Sequence, residues 1–104
     1  MKQERIQKLL EFLEETPGDL FVKFALAMEY SSETNMNKAE QILREIISAD
    51  KDYVPAYFQL GKILEHSSRI AEALSFFEKG LELAKQKNDA KNIREFQAAI
   101  DALL

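Results

Sequence analysis

The chain holds one imidazole, His66, the side chain best suited to moving protons near neutral pH. Glu65 precedes it and Arg69 follows three residues on, so a base with an orienting partner can be drawn. A single His at a polar stretch, with no spacing that supplies a nucleophile, reads instead as a solvated helix end. Two carboxylate pairs, Glu14/Glu15 and Asp50/Asp52, are adjacent in sequence and do not flank a bond as hydrolytic acids must. Asp50-Lys51-Asp52 lacks the glycine and distal glutamate of a calcium loop. With no cysteine there is no thiolate zinc site, disulfide or thiol nucleophile. His-Glu-x-x-His, a glycine-rich phosphate loop and Gly-x-Ser-x-Gly are also missing. The residues therefore predict no enzyme, no metal and no cofactor.

The 104 residues suit one domain, and 14 basic against 18 acidic side chains leave a net charge of −4. That balance excludes a generic basic surface for nucleic acid or anionic lipid. Lys79, Lys85, Lys87, Lys91 and Arg94 form a basic run, but Glu82, Asp89 and Glu95 dilute it. It has the makings of helix-dipole compensation and lacks interleaved aromatics, so no nucleic-acid partner is expected. Hydrophobic residues at 46% with 31% charged exclude a disordered chain. Three Gly and two Pro disfavour turn-dense β folds. The charged start (Lys2, Glu4, Arg5) is unlike a signal peptide, and the longest uncharged stretch, Tyr53 to Gly61, is too short for a membrane span. A cytoplasmic protein without a membrane partner is expected.

Apolar spacing is helical almost throughout. Ile6, Leu9, Leu10 and Leu13 mark a first helix that Thr16-Pro17-Gly18-Asp19 ends. Leu20, Phe24, Ala27 and Met28, then Ala39, Ile42, Leu43, Ile46 and Ile47, mark the second and third. Pro55 stands where a fourth helix begins, and that helix ends near His66. The fifth runs from about Ile70 to Lys87, and Ile93, Phe96, Ile100 and Leu103 mark the sixth. The fold class is all-α, with short polar breaks that imply antiparallel hairpins.

Shifting residues 20–53 by 34 lays them on 54–87 without a gap, matching Phe24/Phe58, Leu26/Leu60, Ala39/Ala73 and Lys51/Lys85. A helix–turn–helix period of this length, with Tyr57, Leu60, Gly61, Ala73, Phe77 and Leu81 at the aromatic, aliphatic and small positions, resembles the tetratricopeptide repeat. The first unit matches through Leu26, Ala27, Tyr30, Ala39 and Leu43. The resemblance implies an α-solenoid of about six helices in a single domain. Residues 1–19 form a half repeat, 20–53 and 54–87 the two full repeats, and 88–104 a capping helix. Departures are Lys23 for an aromatic, Leu64 for Tyr, Lys51 and Lys85 for Pro, Arg5 for a small residue, and Ile46 and Gly80 for Ala.

The resemblance also implies a non-catalytic adaptor whose first helices line a concave groove for a peptide or helix of a partner protein. Carried over by position, that groove holds Phe21, Phe24 and Met28 from the first unit and Phe58, Gln59, Lys62 and His66 from the second. Phe24 and Phe58 read equally as core residues. Family members that clamp a terminal carboxylate use Lys, Asn and Arg, where this chain has Phe24, Met28, Gln59 and Ile93. None of these gives a carboxylate charge-assisted bonds, which disfavours such a ligand. The alternative function is self-association, as a homodimer or part of a longer array. Its motive is the row Ala98, Ala99, Ile100, Ala102, Leu103 and Leu104, apolar for a helix that closes a solenoid.

Overall fold

Helix starts follow the capping chemistry of the sequence. In the computed structural model, which describes residues 2–104 and side chains from Gln3 onward, six helices account for nearly all of the chain. They are α1 (Lys2–Glu15), α2 (Leu20–Ser32), α3 (Met36–Ala49), α4 (Val54–His66), α5 (Ile70–Gln86) and α6 (Ala90–Leu103). Asp19 and Asp89 each accept a hydrogen bond from the backbone N–H three residues on, at Val22 and Asn92, both at 3.1 Å. Pro55 lies in the first turn of α4, where its missing N–H leaves no bond unmade. No strand occurs among the described residues.

Helix ends repeat a second device. After α2, α4 and α5 the chain turns through a left-handed residue that is not glycine: Thr34 (φ 61°), Ser68 (φ 63°) and Asn88 (φ 55°). At each, two backbone bonds close the end in a Schellman pattern. Asn35 N–H reaches Tyr30 C=O at 2.8 Å, Arg69 N–H reaches Leu64 C=O at 2.9 Å and Asp89 N–H reaches Ala84 C=O at 3.0 Å. The inner bonds run from Thr34 to Ser31, Ser68 to Glu65 and Asn88 to Lys85. Left-handed backbone is uncommon for an ordinary residue and an outlier for a β-branched one. Thr34→Gly is therefore expected to stabilise the protein by about 1 kcal/mol, the relief of strain exceeding the added chain entropy of glycine. Thermal melting checks it: the midpoint should rise by about 4–8 °C, and a fall would refute the strain argument.

The helices group into two compact units, residues 1–49 and 50–104. In the first, α2 packs on both α1 and α3. Its core is Leu26, Ala27, Ala39, Leu43 and Ile46. Arg5, at a small-residue position of the repeat, sends its guanidinium to Glu29 at 3.2 Å, and Lys23 pairs with Glu45 across the α2–α3 hairpin at 3.6 Å.

In the second unit, α5 lies against both α4 and α6. Its core is larger, built on Tyr57, Leu60, Ile63, Leu64, Phe77 and Phe96. Two glycines set the helix spacing. A Cβ on Gly61 would fall 2.7 Å from Phe77 Cδ1, and one on Gly80 3.0 Å from Phe96 Cδ1, with other ring atoms nearer still. Gly80 thus departs from the repeat pattern because the α6 phenylalanine occupies the space of a side chain. Ala99 and Ile100 of α6 face inward, while Ala98 and Ala102 are exposed among Arg94, Gln97 and Asp101. Gln97 and Asp101 are hydrogen-bonded at 3.2 Å on that outer face. The apolar exterior read from the C-terminal row is therefore a mixed one: the helical turn puts Ile100 inside and leaves only the small Ala98 and Ala102 outside among polar neighbours, while Leu104, just past the helix, is 87% exposed.

Candidate functional site

On α4, helical spacing places Phe58, Gln59, Lys62 and His66 along one flank. The Lys62 ammonium sits 5.5 Å above the Phe58 ring and 3.9 Å from Glu65 Oε1. Its contacts are surface ones, worth only a fraction of a kcal/mol up to about 1 kcal/mol. Lys62, Glu65 and His66 line a shallow depression of about 270 Å³. Phe58 is half-buried, its other edge against the rings of Phe77 at 5.8 Å and Phe96 at 5.5 Å. It is a core residue on one side and a surface residue on the other. Gln59 is half-buried, and Lys62 and His66 are exposed.

On α2, Phe21 is 76% exposed, while Phe24 and Met28 are half-buried. The three share a flank at three- and four-residue spacing. An apolar ring held in water at the first turn of a helix is surface that a partner can cover with a gain in free energy.

The acid–base arrangement drawn around His66 is not assembled. Arg69 is forked onto Glu72, Nε to Oε1 at 3.0 Å and Nη2 to Oε2 at 3.2 Å, while Glu65 pairs with Lys62. Asp50 Oδ1 accepts from Asp52 N–H at 3.0 Å, as a turn residue does. Among the described residues no group of three His, Asp or Glu could hold a metal ion, and no helix is long and apolar enough to cross a membrane.

A feature that sequence reasoning missed lies at the start of α4. Tyr57 donates its hydroxyl proton to Lys51 C=O at 2.7 Å, and Lys87 Nζ donates to Asp52 C=O at 3.0 Å. Burial pushes the Tyr57 phenol above its usual range, with the charges of Asp52 and Asp50 adding to the effect. The hydroxyl thus remains a donor that ties down a turn where the repeat pattern usually has proline. Beside it, Lys51, Asp52, Tyr57, Lys79 and Glu82 line a cleft of about 240 Å³. The aromatic at position 57 was visible, but its polar tip gave no hint of a carbonyl six residues back.

The sequence profile described as "Tetratricopeptide repeat" matches residues 22–53 and 54–87, more than half of the chain. No curated protein matches this chain. Among solved structures, a tetratricopeptide repeat domain protein from Salinibacter ruber is 32% identical, with 84% of this chain and 88% of that one aligned at a TM-score of 0.79. A protein from Bordetella parapertussis is 26% identical over 94% of this chain and 85% of that one, with a TM-score of 0.83. The TPR2B domain of yeast Sti1, solved in a pHsp70 complex, is 16% identical over 94% and 78%, with a TM-score of 0.86, a likeness of fold alone. Two matched repeats, built from the hairpins described above, make the conclusion plain: this chain belongs to the tetratricopeptide repeat family.

Proposed function

We propose that the chain is a non-catalytic adaptor that binds a peptide or helix of a partner protein through the exposed flanks of its first helices. Support comes from family membership, since tetratricopeptide repeats are in general protein-interaction modules. The observation that carries the finer reading is Phe21, a large apolar ring 76% exposed on the first helix of a matched repeat. On this reading Phe21, Phe24 and Met28 meet apolar side chains of the partner, and Phe58, Gln59, Lys62 and His66 add apolar and polar contacts. A partner segment with an apolar face suits these residues better than a terminal carboxylate. Phe24, Met28 and Gln59 provide no cation at the clamp positions, and Lys62 is shared with Glu65.

The test uses substitutions that spare the core. Phe21→Ser is expected to leave folding stability within about 0.5 kcal/mol, and Lys62→Glu, which gives up the surface contacts to Phe58 and Glu65, within about 1 kcal/mol. Selection of binders from a displayed peptide library, followed by titration calorimetry, should then show a loss of at least about tenfold in affinity for each variant. Binding unchanged in both variants would reject this surface.

A further inference from the structure

We propose that residues 1–49 are a separately opening unit: α1–α3 unfold and refold while α4–α6 keep their packing. The 34-residue period pairs the two hairpins position by position. On α4, Tyr57 and Ile63 are each 5% exposed and Leu64 is 0% exposed. Their counterparts on α2 are Lys23, Glu29 and Tyr30, all three half-buried. Val54 and Ala56 are buried, whereas Leu20 and Val22 are only half-buried. Among the described residues of α1–α3 no aromatic side chain is buried, while α4–α6 bury Tyr57, Phe77 and Phe96. Ala27 and Ile46 replace Gly61 and Gly80, whose missing side chains make room for those phenylalanine rings.

Ion pairs stand in for part of the missing burial. Lys23 reaches Glu45 at 3.6 Å and Glu29 reaches Arg5 at 3.2 Å, tying α2 to α3 and to α1. Arg5 and Glu45 are exposed, so each pair holds much less than a buried apolar side chain does. Thr34, β-branched and left-handed, adds strain to the α2–α3 turn, where the α4–α5 turn has the unbranched Ser68. The helix α1, with no buried residue among those described, packs on α2 and leaves with it. Phe21, Phe24 and Met28 stand on α2, so the surface proposed above for a partner exists only while this unit is closed. The opening itself rests on burial and stands whether or not that binding reading does.

Native-state hydrogen exchange of the full chain, under conditions where exchange reports the opening equilibrium, is the test. Protection factors in α2 and α3 should lie at least about tenfold below the largest in α4 and α5, the low end of one buried side chain. They should also fall less steeply with denaturant, because the partial opening exposes less surface. Ile100→Val supplies the second arm. Ile100 lies on α6 at 7% exposure, and the loss of one methylene is mild enough to keep the fold. With α4–α6 packed in the open form, this truncation weakens closed and open forms alike. Protection in α2 and α3 should then match the native chain, while the largest values in α4 and α5 fall by about three- to tenfold. A gap of less than about tenfold in the native chain overturns the proposal. So does an Ile100→Val variant in which every helix loses protection by the same factor, the mark of one cooperative unit.

Discussion

Gly61→Leu is expected to cost more than about 3 kcal/mol, beyond the usual range for an overpacked core. A Cβ at Gly61 would lie 2.7 Å from Cδ1 and 2.8 Å from Cζ of Phe77. Those atoms belong to a ring that is 0% exposed and is held against Phe58, so it has nowhere to swing. Gly61→Ala is the sharper form of the same experiment. In a helix interior alanine is favoured over glycine by about 1 kcal/mol, so only the clash can make the substitution unfavourable. A net loss of about 1–3 kcal/mol is expected in chemical denaturation. Gly18 supplies the control, because a Cβ there meets nothing within 4 Å and its φ is not positive. Gly18→Ala should be neutral or stabilising by up to about 1 kcal/mol. A stabilised Gly61→Ala would mean that α4 and α5 are not set by this contact.

The contrast between Gly61 and Gly80 shows what the sequence could convey. Gly61 was readable, because the 34-residue register put it where the repeat calls for a small residue. Gly80 looked like a loosening of the motif. Its reason, Phe96, sits on the next helix, sixteen residues on, and no local pattern links the two. Helix order and boundaries were likewise legible from apolar spacing and from Asp19, Asp89 and Pro55. The fifth helix stops at Gln86, one residue earlier than the spacing suggested, because Lys87 caps it before the left-handed Asn88. The left-handed turns themselves were hidden. Thr34, Ser68 and Asn88 stand where glycine would be the readable signal, and the Schellman bonds hold them there against propensity.

The candidate site was less legible for a related reason. Helical spacing assigns a residue to a flank, but a phenylalanine at the edge of a flank can bury one side and expose the other. Phe58 does this, with Phe77 and Phe96 beneath it and Lys62 above. Long side chains add a second source of error, since their ends are placed by tertiary neighbours. Lys87 reaches the carbonyl of Asp52, 35 residues away, and Lys23 crosses to Glu45. Phe21 was the easy case: at the first turn of α2, with polar or half-buried neighbours, it stays in water.

Phe77→Ala should be the most damaging truncation in the chain, at about 3–5 kcal/mol. The ring is fully buried, is among the largest such side chains, fills the space that Gly61 leaves and bears on Phe58. A protein of this length is stable by roughly 5–15 kcal/mol, so the variant should melt at far lower denaturant and, at the low end of that range, lose its cooperative transition. A double-mutant cycle makes the mechanism testable. In the native background Gly61→Ala is unfavourable because it strikes the Phe77 ring. Once that ring is gone, alanine at 61 should gain its helical preference and fill part of the void. The double variant should therefore be more stable than the sum of the two losses predicts, by at least about 1 kcal/mol. Strict additivity would show that the cost at Gly61 comes from backbone strain elsewhere and that the α4–α5 spacing rests on other contacts.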